Sequence, residues 1–166
     1  YGMCVGRPIC DTQIELIKIT DGPVTQLDDR LKVNENEVGE ITVKADLVTQ
    51  NYFNNREADL LSKIPDPDGT NWHRMGDLGW EDKKGRIWFC GRKSQRVITQ
   101  SQTLFTIPVE AIFNNHEKIY RSALAGVGPK NMQTPVIFIE PYEKIKNTKK
   151  FIKELLDLAK SNPLTD

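Results

Sequence analysis

The sequence predicts an α+β protein: a β-rich, barrel-like subdomain followed by a small α+β domain. Three observations carry that expectation. Residues 1 to about 92 hold short β-rich runs separated by Gly, Pro, Asn and Asp, with one short helical segment among them. Beyond them the order becomes strand, strand, helix, strand, strand, helix. The last segment, Asn147 to Lys160, is strongly amphipathic.

The elements follow in order. Residues 13–19 (QIELIKI) are β-rich and predict a strand, closed by the turn residues Asp21-Gly22-Pro23. Residues 24–37 are polar and predict a loop. Glu40 to Lys44 alternates cleanly as a second strand. Asn54 or Asn55 caps a short helix with Glu57 in its first turn, where the helix dipole favours a carboxylate. Leu60, Leu61 and Ile64 are its expected buried stripe, and Pro65 to Gly69 stops it. Trp72 to Trp80 predicts a strand interrupted at Gly76. Glu81 to Gly85 is turn chemistry, and Arg86 to Cys90 is the returning strand. Arg96–Thr99 and Leu104–Ile107 form another hairpin. Pro108 marks a helix start, with Glu110 close behind and Val109, Ile112 and Phe113 as its apolar face. Ser122–Val127 and Pro135–Glu140 are strands. Phe151, Ile152, Leu155, Leu156 and Ala159 give the final helix its apolar face; Lys149, Lys150 and Lys153 fall on its solvated side.

Composition excludes several function classes. Lys+Arg and Asp+Glu are both 23, so no net basic charge points to nucleic acid. No run approaches the roughly 20 apolar residues of a spanning helix. No basic start followed by an apolar stretch reads as a signal peptide, although the chain opens on Tyr1 rather than Met. Three cysteines, Cys4, Cys10 and Cys90, without C-x-x-C spacing and with two distant histidines, fit neither a disulfide framework nor a zinc site. A reducing, cytoplasmic setting is the expectation.

The stretch WHRMGDLGWEDKKGRIWFCGR, residues 72 to 92, concentrates the chemistry. Spacing alone leaves two readings open. It is a structural hairpin whose tryptophans make a sheet face, and the chain is then a non-catalytic binding or interaction module. Or it is a ligand site. Gly76 allows close approach to the backbone before Asp77. The two carboxylate oxygens of Asp77 can accept from neighbouring hydroxyls, as on a ribose. Arg92 offers a planar fork of donors for phosphate or hydroxyl oxygens, and a hairpin brings it to the same rim. His73 reads as a packed or surface histidine, His116 as a helix-end residue, Cys90 as a small core residue. Arg96 fits a surface charge and a ligand contact equally.

The stretch NWHRMGDLGWEDKKGRIWFCGRKSQRV resembles the W-x-R-T-G-D-L-G, D-x-x-G and G-R segments of the AMP-forming adenylating enzymes: acyl-CoA synthetases, adenylation domains and luciferases. CVGRPI (4–9), VGEITVKADLVTQNYFNNREA (38–58) and TIPVEAIF (106–113) resemble further segments of that family, in family order. Within it, FCGRKSQRV, VTQNYFNN and WHRMGDLG look most like β-lactone synthetases of bacterial olefin biosynthesis, related to fatty-acid CoA ligases.

The resemblance implies roles. Asp77 would bind the ribose hydroxyls of ATP or AMP, and Arg92 the ribose and phosphate side. Residues 1–93 would be the end of the large domain and 95–166 a small mobile domain, with Ser94 at the hinge. Mg²⁺ would accompany ATP. The acyl donor would be a fatty or β-hydroxy fatty acid, and the acceptor coenzyme A or the acid's own β-hydroxyl. No residue of this chain matches the family's catalytic lysine. Its phosphate loop is expected upstream in the same chain; Tyr1-Gly2 lacks the Thr-Glu of the neighbouring aromatic-Gly segment. The fragment alone is expected to be inactive. Ser94, Met75, Ile98 and Ser101 depart from the common acidic-or-Lys, Thr, Lys and Gly, a pattern that fits the olefin branch better than a standard CoA ligase.

Overall fold

A computed structural model describes residues 2 to 165; Tyr1, with its place in the Tyr1-Gly2 motif, and Asp166 lie outside them. The chain divides into two compact units, Met3–Ser94 and Gln95 onward.

The first unit is an antiparallel sheet. Its strands are β1 (Met3–Gly6), β2 (Gln13–Ile17), β3 (Gly39–Lys44), β4 (Lys63–Pro65), β5 (Asn71–Glu81) and β6 (Ile87–Arg92). The hydrogen-bonded order is β1-β6-β5-β3-β2, open at β1 and β2, with β4 also paired to β5. β5 is 11 residues long and changes neighbours along its length. His73 lies in register with Lys63 of β4, whereas Asp77 lies opposite Arg92 of β6. Gly76 stands between those halves with φ +69°, a conformation that costs a side-chain residue about 1 kcal/mol. The expected interruption there is a change of partner, and the strand runs through it.

Both faces of this sheet are covered. Leu16 and Ile17 are adjacent in β2 and therefore point to opposite faces. Ile17 packs with Val24, Ile64 and Trp72; Leu16 packs with Ile41 and Ile87. The β5–β6 hairpin is tied at its tip by Asp82. Its carboxylate accepts from the amides of Lys84 and Arg86, the Arg86 Nε (2.7 Å) and the Trp88 indole (3.0 Å). Trp80 and Trp88, partners in register, stack 5.4 Å apart.

The helix α1 (Arg56–Ser62) has Asn55 at its N-cap, accepting from the Ala58 amide. Its expected buried stripe is corrected. Leu60 and Leu61 are 54% and 41% exposed, and α1 buries no residue. The helix ends at Ser62 because Lys63–Pro65 extend to pair with β5, so Ile64 is buried as a strand residue.

The second unit contains β7 (Val97–Ile98), β8 (Thr103–Leu104), α2 (Thr106–Asn114), β9 (Ile119–Val127), β10 (Thr134–Pro141) and α3 (Thr148–Lys160). β7–β8 and β9–β10 are two antiparallel pairs. α2 starts at Thr106, two residues before Pro108, so the second strand of the small hairpin ends at Leu104. Asn147 caps α3 by accepting from the Lys150 amide. Val97, Leu104, Val109, Phe113, Ile119, Leu124, Phe151 and Leu155 form one core. The apolar face expected for α3 is narrower in fact. Ile152 and Leu156 are 51% and 54% exposed, while Leu158 and Ala159 pack against the core with Phe151 and Leu155.

Candidate functional site

Asp77 and Arg92 meet because their strands place them in direct register. The side chain of Asp77 is 17% exposed and that of Arg92 57%, with Arg92 Nη1 2.9 Å from Asp77 Oδ1. Arg92 Nη1 also donates to the Met75 carbonyl at 3.3 Å. The pair is close in distance but misaligned, so Asp77 Oδ1 is buried without a directed hydrogen bond. Burial pushes the Asp77 carboxyl above its ordinary pKa, and the Arg92 charge offsets that only in part. A recessed carboxylate oxygen with unused acceptor capacity, beside a half-exposed guanidinium, suits a ligand that brings hydroxyl donors and a negative charge.

The glycines make that rim. Gly76 lets the chain turn into Asp77. Gly79 sits where a Cβ would come within 2.7 Å of the Trp88 carbonyl and 3.1 Å of Ile41 Cδ1. Ser94 lies in a 3₁₀ turn, Lys93–Gln95, at the end of the first unit, and is exposed.

One cluster had no place in the sequence reading. Glu40 of β3 is fully buried and Arg74 of β5 is 3% exposed. Arg74 Nη2 and Nε donate to Glu40 Oε2 at 2.8 and 3.2 Å. Arg74 also donates to the carbonyls of Thr20 (2.6 Å), Gly22 (2.7 Å) and Leu61 (2.9 Å). Lys93 Nζ donates to both Glu40 oxygens, at 2.8 and 3.0 Å. The available signal was an acidic residue inside a strand that is buried on both faces.

The remaining residues are quieter. Burial and the charge of Lys63 lower the pKa of His73, whose Nδ1 is buried without a hydrogen-bond partner. Cys90 is 1% exposed, and burial pushes its thiol up to about 11. His116 packs edge-on against Phe151. Among the described residues no group of three or more His, Cys, Asp and Glu converges. None of the described helices is long and apolar enough to cross a membrane.

The fold aligns with O-succinylbenzoate coenzyme A synthetase from Bacillus subtilis, solved with ATP and a magnesium ion: TM-score 0.72, 22% identity, 98% of this chain and 30% of that one. The 2-succinylbenzoate–CoA ligase of Bacillus cytotoxicus is 27% identical over 135 residues, 81% of this chain and 25% of the ligase. No protein-family model matches the chain. The chain belongs to the AMP-forming adenylating enzyme superfamily and corresponds to the C-terminal portion of such enzymes. Within that superfamily, the olefin β-lactone synthetase of Stenotrophomonas maltophilia is 41% identical over 143 residues, 84% of this chain. The chain spans about a quarter of the length of these two relatives, 26% and 25%.

Proposed function

We propose that the chain is the C-terminal portion of an ATP-dependent, AMP-forming fatty acid ligase. The acid's carboxylate attacks the α-phosphorus of ATP, the bond to the pyrophosphate oxygen breaks, and an acyl-adenylate forms. Asp77 accepts hydrogen bonds from the ribose hydroxyls, and Arg92 faces the ribose and phosphate oxygens. Neither is a general base; both act by positioning and by matching charge. Magnesium would accompany the phosphates of ATP. The residues beyond Ser94 act as the small domain that moves about that joint between steps.

The observation that carries this reading is the recessed Asp77 Oδ1, buried without a directed hydrogen bond opposite Arg92. In the second step the β-hydroxyl of a β-hydroxy acid attacks the acyl carbonyl, closing a β-lactone and expelling AMP. The 41% identity to an olefin β-lactone synthetase favours that over attack by the thiol of coenzyme A.

The test is pyrophosphate release by the full-length protein carrying Asp77→Ala. Two lost hydrogen bonds to a charged acceptor predict a fall of roughly 100-fold in kcat/KM for ATP. Wild-type rates would sink the ribose assignment. Product analysis with a β-hydroxy fatty acid and ATP, with and without coenzyme A, separates lactone from thioester. The 166 residues alone are expected to bind AMP weakly and to adenylate little.

A further inference from the structure

We infer that Lys93 is a positioning residue, a clamp that holds Arg92 opposite Asp77 by anchoring the end of β6 to the buried carboxylate of Glu40; this rests on the nucleotide reading of that pair. Lys93 directly follows Arg92, at the start of the 3₁₀ turn. Its ammonium reaches back into the sheet, donating to both oxygens of Glu40 and to the Thr20 carbonyl at 3.2 Å. Arg92 is the last residue of β6 and Lys93 the first of the turn, so anchoring the Lys93 ammonium fixes the backbone at the point where the strand that carries Arg92 ends.

The row of partners makes the link short. Glu40 lies opposite Leu78, and Leu78 lies opposite Gly91. The clamp thus closes one residue from the Asp77–Arg92 pair, on the strand that carries Arg92. Charge arithmetic separates this from plain stabilisation. Glu40 already has a buried cation in Arg74, bound at 2.8 Å with both side chains 1% exposed or less. One carboxylate needs one countercharge. The second cation is the one that ties the β6 exit, and its side chain remains 18% exposed. Losing it leaves Glu40 paired, so the sheet survives while the end of β6 loosens.

The experiment uses the full-length protein with Lys93→Met, Lys93→Arg and, as a reference, Asp77→Ala. It reads KM for ATP and kcat in pyrophosphate release, together with amide hydrogen exchange. Lys93→Met is expected to raise KM about tenfold with kcat within about twofold, the pattern of lost binding rather than lost chemistry. Exchange rises in residues 91–95 and stays at wild-type levels in 72–80. Lys93→Arg, which keeps a cation within reach of Glu40, restores KM to within about twofold. A wild-type KM in Lys93→Met overturns the proposal, and so does faster exchange spread evenly through β5 and β6. If Lys93→Met does not accumulate, Lys93→Gln takes its place under the same criteria. Should Asp77→Ala keep a wild-type KM, the nucleotide reading falls, and exchange at 91–95 alone decides the clamp.

Discussion

Arg74 offers a large single perturbation of the first unit. Its guanidinium satisfies a fully buried carboxylate and three backbone carbonyls drawn from the loop after β2 and the end of α1. Arg74→Met keeps the stem and removes every donor. Glu40 and the Thr20 carbonyl retain Lys93, but the donors to Gly22 and Leu61 are lost. Breaking a buried pair costs about 3–5 kcal/mol, and each orphaned buried carbonyl about 1–3 kcal/mol, partly the same energy. Lys93 holds the loss near the lower figure, about 3–4 kcal/mol. All three tryptophans, Trp72, Trp80 and Trp88, lie in this unit, so tryptophan fluorescence during a urea titration reports on it. With a slope of about 2 kcal/mol per molar urea, the midpoint falls by about 2 M. Arg74→Lys keeps one point charge and loses the fork, and its midpoint falls between the two. A shift below about 0.3 M in Arg74→Met, the scale of an ordinary surface change, would refute the argument that this network holds the sheet.

Three further outcomes follow from the geometry. A thiol reagent at pH 8 labels the exposed Cys4 and Cys10 in the folded chain and leaves Cys90 unmodified, by mass spectrometry, until denaturant is added. Gly79→Ala lowers the urea midpoint by the equivalent of about 1–3 kcal/mol, because the Trp88 carbonyl 2.7 Å from the new Cβ is backbone and cannot swing away. The pH dependence around His73 has a definite sign. Its folded pKa is lowered, so its contribution is fully present above the unfolded value of about 6.5 and is lost as pH falls through the folded value. The urea midpoint therefore declines as pH drops below about 6.5, and His73→Gln removes that part of the decline; an unchanged profile in the variant counts against it.

The residues that announced their structure did so through local chemistry. Glu40 to Lys44 alternates, Asn55 and Asn147 cap helices, and Asp82 with Gly85 closes a hairpin, each within a few residues of chain. What stayed hidden depended on partners distant in sequence. Lys63–Pro65 is a strand only because β5 lies beside it, and no pattern of three residues can say so. Leu60, Leu61, Ile152 and Leu156 sit at helical spacing and look like core, yet spacing does not show how wide a face the neighbours cover. The site divides the same way. That Asp77 and Arg92 would share one rim was legible because a hairpin joins them. Glu40, Arg74 and Lys93 were not, because their contacts cross 34 and 53 residues of chain and depend on register.

The two carboxylates near the end of β6 explain why one reads as structural and the other as functional. Glu40 has no exposed surface and is fully used: Arg74 and Lys93 together supply it with four donor contacts. Its acceptor sites are taken up, and its loss would remove the carboxylate from two cations. Asp77, one residue beyond Glu40's partner Leu78 in the sheet, is treated in the opposite way. It is recessed enough for burial to raise its pKa, yet its single cation is more than half exposed and misaligned. An acid retained for stability is neutralised where it stands, because an unmet buried charge is costly. An acid left short of donors at a rim carries that cost until something brings them. A vicinal diol brings two, and the hydroxyls of a ribose lie at the spacing of one carboxylate's oxygens. The unmet oxygen of Asp77 is therefore the point at which the proposed nucleotide would repay the strain that the fold leaves in place.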